Sequence, residues 1–200
     1  MHVAGRESDP SFEDELAEML LDSRGPKARV ELAGDIFRAA HLRGDFVLSS
    51  GARSTYYFDK YLFETKPSIL RRLATALADM VPPGVSRIAG PELGAVALAT
   101  AVSLEMGIPF TIVRRSAKAY GTGAAIEGEL YPGEHVCVIE DVISTGTQAI
   151  AAARRVEEVG GIVVAVLGVI DRVQGGSQNI EGAGYAFDSI FRLSDFQGVG

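Results

Sequence analysis

Residues 136–150 read VCVIEDVISTGTQAI, and their order decides the fold. An apolar run comes first. Two adjacent carboxylates follow, Glu140 and Asp141, then Val142 and Ile143, then the small polar series Ser144-Thr145-Gly146-Thr147. The apolar run does not alternate as a half-solvated strand does, so it predicts a strand buried on both faces. GTQAIAAARRVEEVG, 146–160, predicts a helix starting near Thr147, and GIVVAVLGVIDR, 161–172, predicts a second continuous apolar strand. Upstream, SRIAGPELGAVALATAVSLEMG, 86–107, predicts a strand, a turn at Gly90-Pro91 and a long apolar helix closed by Gly107. PFTIVRR, 109–115, predicts another strand. The alternation of strand and helix indicates an α/β domain, a central parallel sheet flanked by helices on both faces.

In such a sheet, ligands bind beyond the carboxyl ends of the strands. Glu140 and Asp141 are expected at one of those ends. The helix after them offers free N–H groups and about half a positive charge. Gly146 lets a ligand approach the backbone, and Ser144, Thr145 and Thr147 add hydroxyl donors. That is a phosphate cradle without a lysine. Carboxylates repel phosphate, so Glu140 and Asp141 must face hydroxyls, a developing cation, or Mg²⁺ directly or through water. A 5′-phosphate cradle beside carboxylates suited to ribose hydroxyls describes a phosphoribosyl site. No glycine-rich loop ends in Gly-Lys-Ser/Thr, and GTGAAIEG, 121–128, lacks the dinucleotide-binding spacing.

The bulk composition sets limits. The chain has 200 residues, 47% hydrophobic and 22% charged, enough for one domain with a buried core and an N-terminal extension. A formal charge of −7 argues against general nucleic-acid binding. The single cysteine, Cys137, lies inside the apolar run, which suits a reducing, cytoplasmic setting. No segment has the length and apolarity of a membrane span. The three histidines show no metal-ligand spacing, so no dedicated protein cage for a metal is expected. Residues 1–10 are expected to form a flexible tail, 11–45 two N-terminal helices (the second over about 28–41), and 46–200 the main domain. FVLSSGARSTYYFD, 46–59, predicts two short strands about Gly51, and KPSILRRLATALADM, 66–80, a helix. SAKAYGTGAAIEGELYPG, 116–133, has little periodicity and predicts a long functional loop.

VCVIEDVISTGTQ resembles the phosphoribosyl pyrophosphate signature of the type I phosphoribosyltransferases. The family implies a flexible loop that closes over the site, matched by 116–133, and a hood built from chain ends. LSSGARSTYYFD, VRRSAKAYG and IDR extend the resemblance to the orotate phosphoribosyltransferase family over roughly residues 30–195. That resemblance implies transfer of the phosphoribosyl group to orotate, giving orotidine 5′-phosphate and pyrophosphate, in pyrimidine biosynthesis. It implies orotate contacts from Ser49, Ser50, Gly51, Tyr57, Phe58, Ser144 and Arg172. Arg172 carries the guanidinium that an orotate carboxylate needs. It implies phosphoribosyl pyrophosphate contacts from Arg114, Arg115, Lys118 and Tyr120, and from Glu140 through Gln148, with GPELGA, 90–95, lining the pyrophosphate. Glu140, Asp141 and Lys118 are the implied catalytic set, Mg²⁺ the implied cofactor. A homodimer with shared sites follows, Arg115 serving its own subunit while Arg114, Lys118 and the loop reach the neighbour. The chain departs from many family members at Ser49 and Gly94, where they have lysine, and at Tyr120, where they have histidine. Tyrosine donates a hydrogen bond but forms no imidazolium. Two alternatives remain: transfer to uracil or a purine, or a nucleotide-sensing regulator on the same fold.

Overall fold

The computed structural model describes residues 25–47, 51, 53–115 and 125–196. The expected tail and first N-terminal helix lie outside them. Helix α1, Pro26–Ala40, starts on a proline, whose missing N–H is no loss at a helix's first turn. It runs directly into β1, His41–Val47, which pairs antiparallel with β2, Arg53–Phe58. The hairpin thus begins earlier than the sequence predicts, because the α1 C-cap, His41, is already extended. Helix α2, Tyr61–Glu64, is a single turn, and α3 spans Pro67–Met80.

The main sheet then forms from β3 (Arg87–Pro91), β4 (Phe110–Val113), β5 (Ile126–Glu127), β6 (His135–Ile143), β7 (Ile162–Asp171) and β8 (Phe187–Arg192). Its order is β5-β4-β3-β6-β7-β8, parallel throughout except for the β4–β5 pair. Helices α4 (Ala95–Met106), α5 (Thr147–Glu158) and α6 (Gly176–Gly182) connect the strands. A 3₁₀ turn, Leu193–Phe196, closes the described chain.

Both faces of the sheet are covered, as the unbroken apolar strands require. One core layer joins Ile36 of α1, Leu73 and Leu77 of α3 and Leu98 of α4 to Ile88, Cys137 and Ile139. The other joins Ala149, Ala153 and Val156 of α5 and Ile180 of α6 to Ala89, Val136 and Val138. Neighbouring strand residues therefore feed opposite layers, the period-2 rule acting on a strand with no polar side. Helix α1, a segment the sequence separates from the main domain, packs into the first of these layers.

Three differences from expectation bear on the site. Strand β3 continues through Gly90 to Pro91, where a turn is predicted, because β4 pairs with it to Val113. A proline is tolerated at a strand's last place, where it forfeits only one ladder donor. Strand β6 continues past its carboxylates to Ile143, paired with Asp171 of β7. The predicted long loop contains β5 in its later part, while 116–124 lie outside the described residues.

Cys137 is fully buried, and burial pushes its thiol up to about 12. A thiol held above its ordinary value stays protonated at pH 8, and the thiolate is the nucleophile. A maleimide at pH 8 is therefore expected to label this chain only after denaturation. Rapid labelling of the native protein would contradict the packing of β6.

Candidate active site

The strand order places a topological switch point between β3 and β6. The chain steps outward from β3 to β4, then returns to the opposite side of β3 as β6. Connections leave in opposite directions there and open a crevice beyond the carboxyl ends. Onto that one edge the parallel strands bring Glu92 after β3, Arg114 and Arg115 after β4, Glu140 and Asp141 in β6, and Arg172 after β7.

Glu140 and Asp141 are buried, 7% and 2% exposed, although β6 is at that point near its end. Asp141 Oδ1 accepts the Val142 N–H at 2.5 Å, and Oδ2 accepts from Lys60 Nζ at 2.5 Å. Glu140 Oε1 accepts the Asp141 N–H at 3.3 Å, while Oε2 is buried with no hydrogen-bond partner. Burial first, and the Asp141 charge second, raise the Glu140 carboxyl well above the ordinary range. Glu64 of α2 is 2% exposed and is raised for the same two reasons. Burial works against the Lys60 charge, but Asp141, Glu140 and Glu64 together outweigh it and hold the ammonium above its ordinary value.

A carboxyl whose proton is held to higher pH by the folded protein than by the unfolded chain costs stability as pH rises above the ordinary carboxyl range. Glu140→Gln removes that cost and keeps the oxygen facing the Asp141 N–H. Its melting temperature without substrate is expected to exceed the parent's by roughly 2–4 °C at pH 8, with little difference at pH 5. Transferase turnover is expected to fall. A variant less stable than the parent at pH 8 would contradict the electrostatic account.

The phosphate-cradle segment has the expected form. Gly146 is the N-cap of α5 with φ +76°, and no side chain caps the first turn. Thr145, Thr147 and Gln148 are exposed, and the hydroxyls of Thr145 and Thr147 lie 3.0 Å apart. Glycine is needed at 146 for two reasons. The left-handed φ disfavours other residues, and a Cβ would lie 2.9 Å from both the Gly176 carbonyl oxygen and an Ile180 side-chain carbon. Asn179 of α6 donates to the Thr145 carbonyl at 2.9 Å, and the Arg172 N–H donates to the Ile143 carbonyl at 2.8 Å. The turn is thus pinned from α6 and from the end of β7.

Glu92 organises the opposite wall. Its carboxylate accepts the Arg115 N–H at 2.7 Å, and its carbonyl accepts from Arg115 Nε at 3.2 Å. Arg155 of α5 donates to the Arg115 carbonyl at 2.6 Å. Arg114 lies 3.9 Å from Glu92 and 3.5 Å from Glu127, and its Nε is buried with no partner. Arg172 is exposed at the rim, beside Val173, whose φ of +56° is rare for a β-branched residue. The buried Asp171 carboxylate holds that bend by accepting the Val173 N–H at 2.8 Å.

On the hairpin, Gly51 is exposed with φ +82°. Tyr57 is also exposed and lies against the Phe46 ring. Phe58 turns the other way, toward the rings of Phe63 and Phe196 in the core. Ser49, Ser50, Lys118 and Tyr120 lie outside the described residues. Sequence reasoning missed Lys60, Glu64, Arg155 and Asn179. Lys60 and Glu64 are four apart and resemble an ordinary exposed helical ion pair, so only the tertiary placement of α2 reveals them.

Among the described residues, no group of three or more His, Cys, Asp or Glu side chains is arranged to hold a metal. The unpartnered Glu140 Oε2 beside Asp141 does offer hard oxygen donors suited to Mg²⁺ through water.

A switch-point crevice with buried carboxylates on one strand, an open helix N-terminus after it and arginines opposite defines a sugar-phosphate transfer site. The phosphoribosyl transferase domain family matches residues 69–183. The chain belongs to the type I phosphoribosyltransferases. Within them its resemblance is to the orotate phosphoribosyltransferases. It is 42% identical to the orotate phosphoribosyltransferase of Methanocella arvoryzae over 78% of this chain and 89% of that one. It is 40% identical to that of Thermoplasma acidophilum over 84% and 96%. The crystal structure of the Mycobacterium tuberculosis orotate phosphoribosyltransferase in complex with phosphoribosyl pyrophosphate superimposes with a TM-score of 0.73 at 31% identity, over 84% of this chain and 98% of that one.

Proposed function

We propose that this chain transfers the phosphoribosyl group of 5-phosphoribosyl 1-pyrophosphate to orotate, giving orotidine 5′-phosphate and pyrophosphate in de novo pyrimidine synthesis. The observation that carries the proposal is the buried Glu140-Asp141 pair beside the uncapped start of α5, at the switch point. The bond from ribose C1 to the pyrophosphate oxygen breaks, and a bond from C1 to the orotate nitrogen forms as that nitrogen releases its proton, which leaves with the pyrophosphate or to water. Positive charge develops on the ribose between these events, and preorganised negative charge stabilises it. Asp141 supplies that charge, and Asp141 and Glu140 hold the ribose hydroxyls. Residues 144–148 hold the 5′-phosphate. Arg115, kept at the crevice by Glu92 and Arg155, takes the departing pyrophosphate together with Lys118 and Tyr120 of the loop. No covalent nucleophile is required.

Glu140 and Asp141 would hold Mg²⁺ through water, and the ion would supply charge neutralisation for the pyrophosphate group. Gly51, Tyr57, Ser144 and Arg172 orient orotate, with Ser49 and Ser50 completing that side of the pocket, while Phe58, packed on Phe63 and Phe196, supports the hairpin from the core. Arg114 and Lys118 serve the neighbouring site of a cytoplasmic homodimer. The acidic balance of the chain favours catalysis over a nucleic-acid-binding regulator.

Arg172→Gln tests the base assignment. The KM for orotate is expected to rise about 10- to 100-fold, the weight of a charge-assisted pair, with the KM for phosphoribosyl pyrophosphate little changed. An unchanged orotate KM would remove Arg172 from the pocket.

A further inference from the structure

Among the described residues, the cation that faces Asp141 does not come from the arginines after β4. It is Lys60, the residue between β2 and α2. We propose that Lys60 is a positioning residue for the transfer reaction: its ammonium fixes the direction of the Asp141 carboxylate at the switch point, and turnover requires a cation in that place. The inference rests on the role given to Asp141 above.

The local fold gives Lys60 a fixed starting point. Asp59 donates its N–H to the Ala40 carbonyl at 2.9 Å, tying the turn to the end of α1, and its carboxylate accepts the Tyr61 N–H at 3.1 Å. Phe63, three residues after Lys60, is fully buried and seats α2 on the core. The Lys60 ammonium passes 5.4 Å from the Tyr61 ring centroid and ends on Asp141 Oδ2. The side chain is 30% exposed and its partner 2%, so the contact lies at the floor of the crevice and not on the open surface.

Asp141 holds that ammonium directly, and the carboxyls of Glu140 and Glu64 add to the attraction. Among the described residues, Lys60 is the one cation in ion-pair contact with any of them. Asp141 has its two oxygens held from opposite sides, by Lys60 and by the Val142 N–H. Without the ammonium, the Val142 N–H alone would fix the direction of the carboxylate, and a single hydrogen bond leaves it free to turn. The opposite wall, at Gly94, carries no side chain that would compete for this space. A Cβ on Gly94 would fall 1.7 Å from Asp141 Oδ2 and 2.9 Å from Lys60 Nζ. The ion pair therefore occupies the space that a side chain at 94 would take.

The test compares Lys60→Met, Lys60→Arg and the charge-balanced pair Lys60→Met with Glu64→Gln, all in the full chain, by steady-state kinetics with circular dichroism as the fold control. The expected result for Lys60→Met is a kcat about 30- to 100-fold lower, with the KM for orotate within about threefold of the parent. Lys60→Arg should recover most of the loss. The charge-balanced double variant, which removes the burial problem without restoring a cation, should fold and remain slow. A folded Lys60→Met or double variant with parent-like kcat would overturn the inference, as would an arginine variant no faster than methionine. The parent chain is the control for the functional reading. If it consumes a base other than orotate, the same comparison is made with that base and decides on Lys60 alone. If it consumes none, the functional reading fails and the inference with it.

Discussion

Asp141→Asn is expected to lower turnover about 10²- to 10³-fold while weakening the binding of phosphoribosyl pyrophosphate by less than about tenfold. Asparagine has nearly the shape of aspartate. Its single carbonyl oxygen can accept the Val142 N–H or the Lys60 ammonium but not both, so one of the two contacts is lost. The larger loss is negative charge. The ground-state ribose offers hydroxyls, which a neutral amide can meet. The transition state offers a developing cation in a site shielded from water, which a neutral amide cannot. The loss should therefore appear in kcat and not in the dissociation constant measured by calorimetry with Mg²⁺. Unchanged turnover would remove Asp141 from the mechanism. A loss confined to binding would make it a ribose anchor only.

Gly94→Ala is expected to lower turnover about 100-fold in a protein that still folds. The backbone at Gly94 has φ −57° and ψ −49°, a helical conformation that alanine adopts freely. Gly94 is the N-cap of α4, where alanine is no better than glycine, so propensity offers no gain in stability to set against the contacts. The local contacts decide the outcome for function. The new methyl would lie 1.7 Å from Asp141 Oδ2, so the carboxylate must rotate away and leave Lys60. Both displaced groups are side-chain ends beside an open crevice, which is why the cost falls on catalysis more than on folding. Kinetics and a thermal melt on the same preparation separate the two. Parent-like turnover would show that the ion pair can shift without consequence.

The centre of the sheet was legible from the sequence because β6 and β7 run apolar to their carboxylates, and burial on both faces leaves no other pattern, whereas the parallel edge strand β8, FDSIFR, carries no such signal. The α5 start was equally legible, since Gly146 and its hydroxyl neighbours interrupt the apolar period. Helix α6 was not. It begins and ends in glycine, and it exists because Ile180 packs under the 144–147 turn rather than from propensity. The pair of Lys60 and Asp141 was not legible either. Their separation of 81 residues closes only when the β1–β2 hairpin and α2 are laid against α1 and the sheet. Glu92 stood inside a segment expected to line the pyrophosphate, where a carboxylate has no evident part. Its main contribution is a carboxylate that collects Arg115 and approaches Arg114. In each case the missing information was a tertiary contact, not a local preference.

The most direct measurement is orotate consumption, followed by ultraviolet absorbance with phosphoribosyl pyrophosphate and Mg²⁺ present, and with uracil, hypoxanthine, guanine and adenine in parallel assays. Rapid loss of orotate, with the other bases unchanged, is the predicted result. It would also show that tyrosine serves at position 120. No loss of orotate, whether or not another base is consumed, would contradict the assignment.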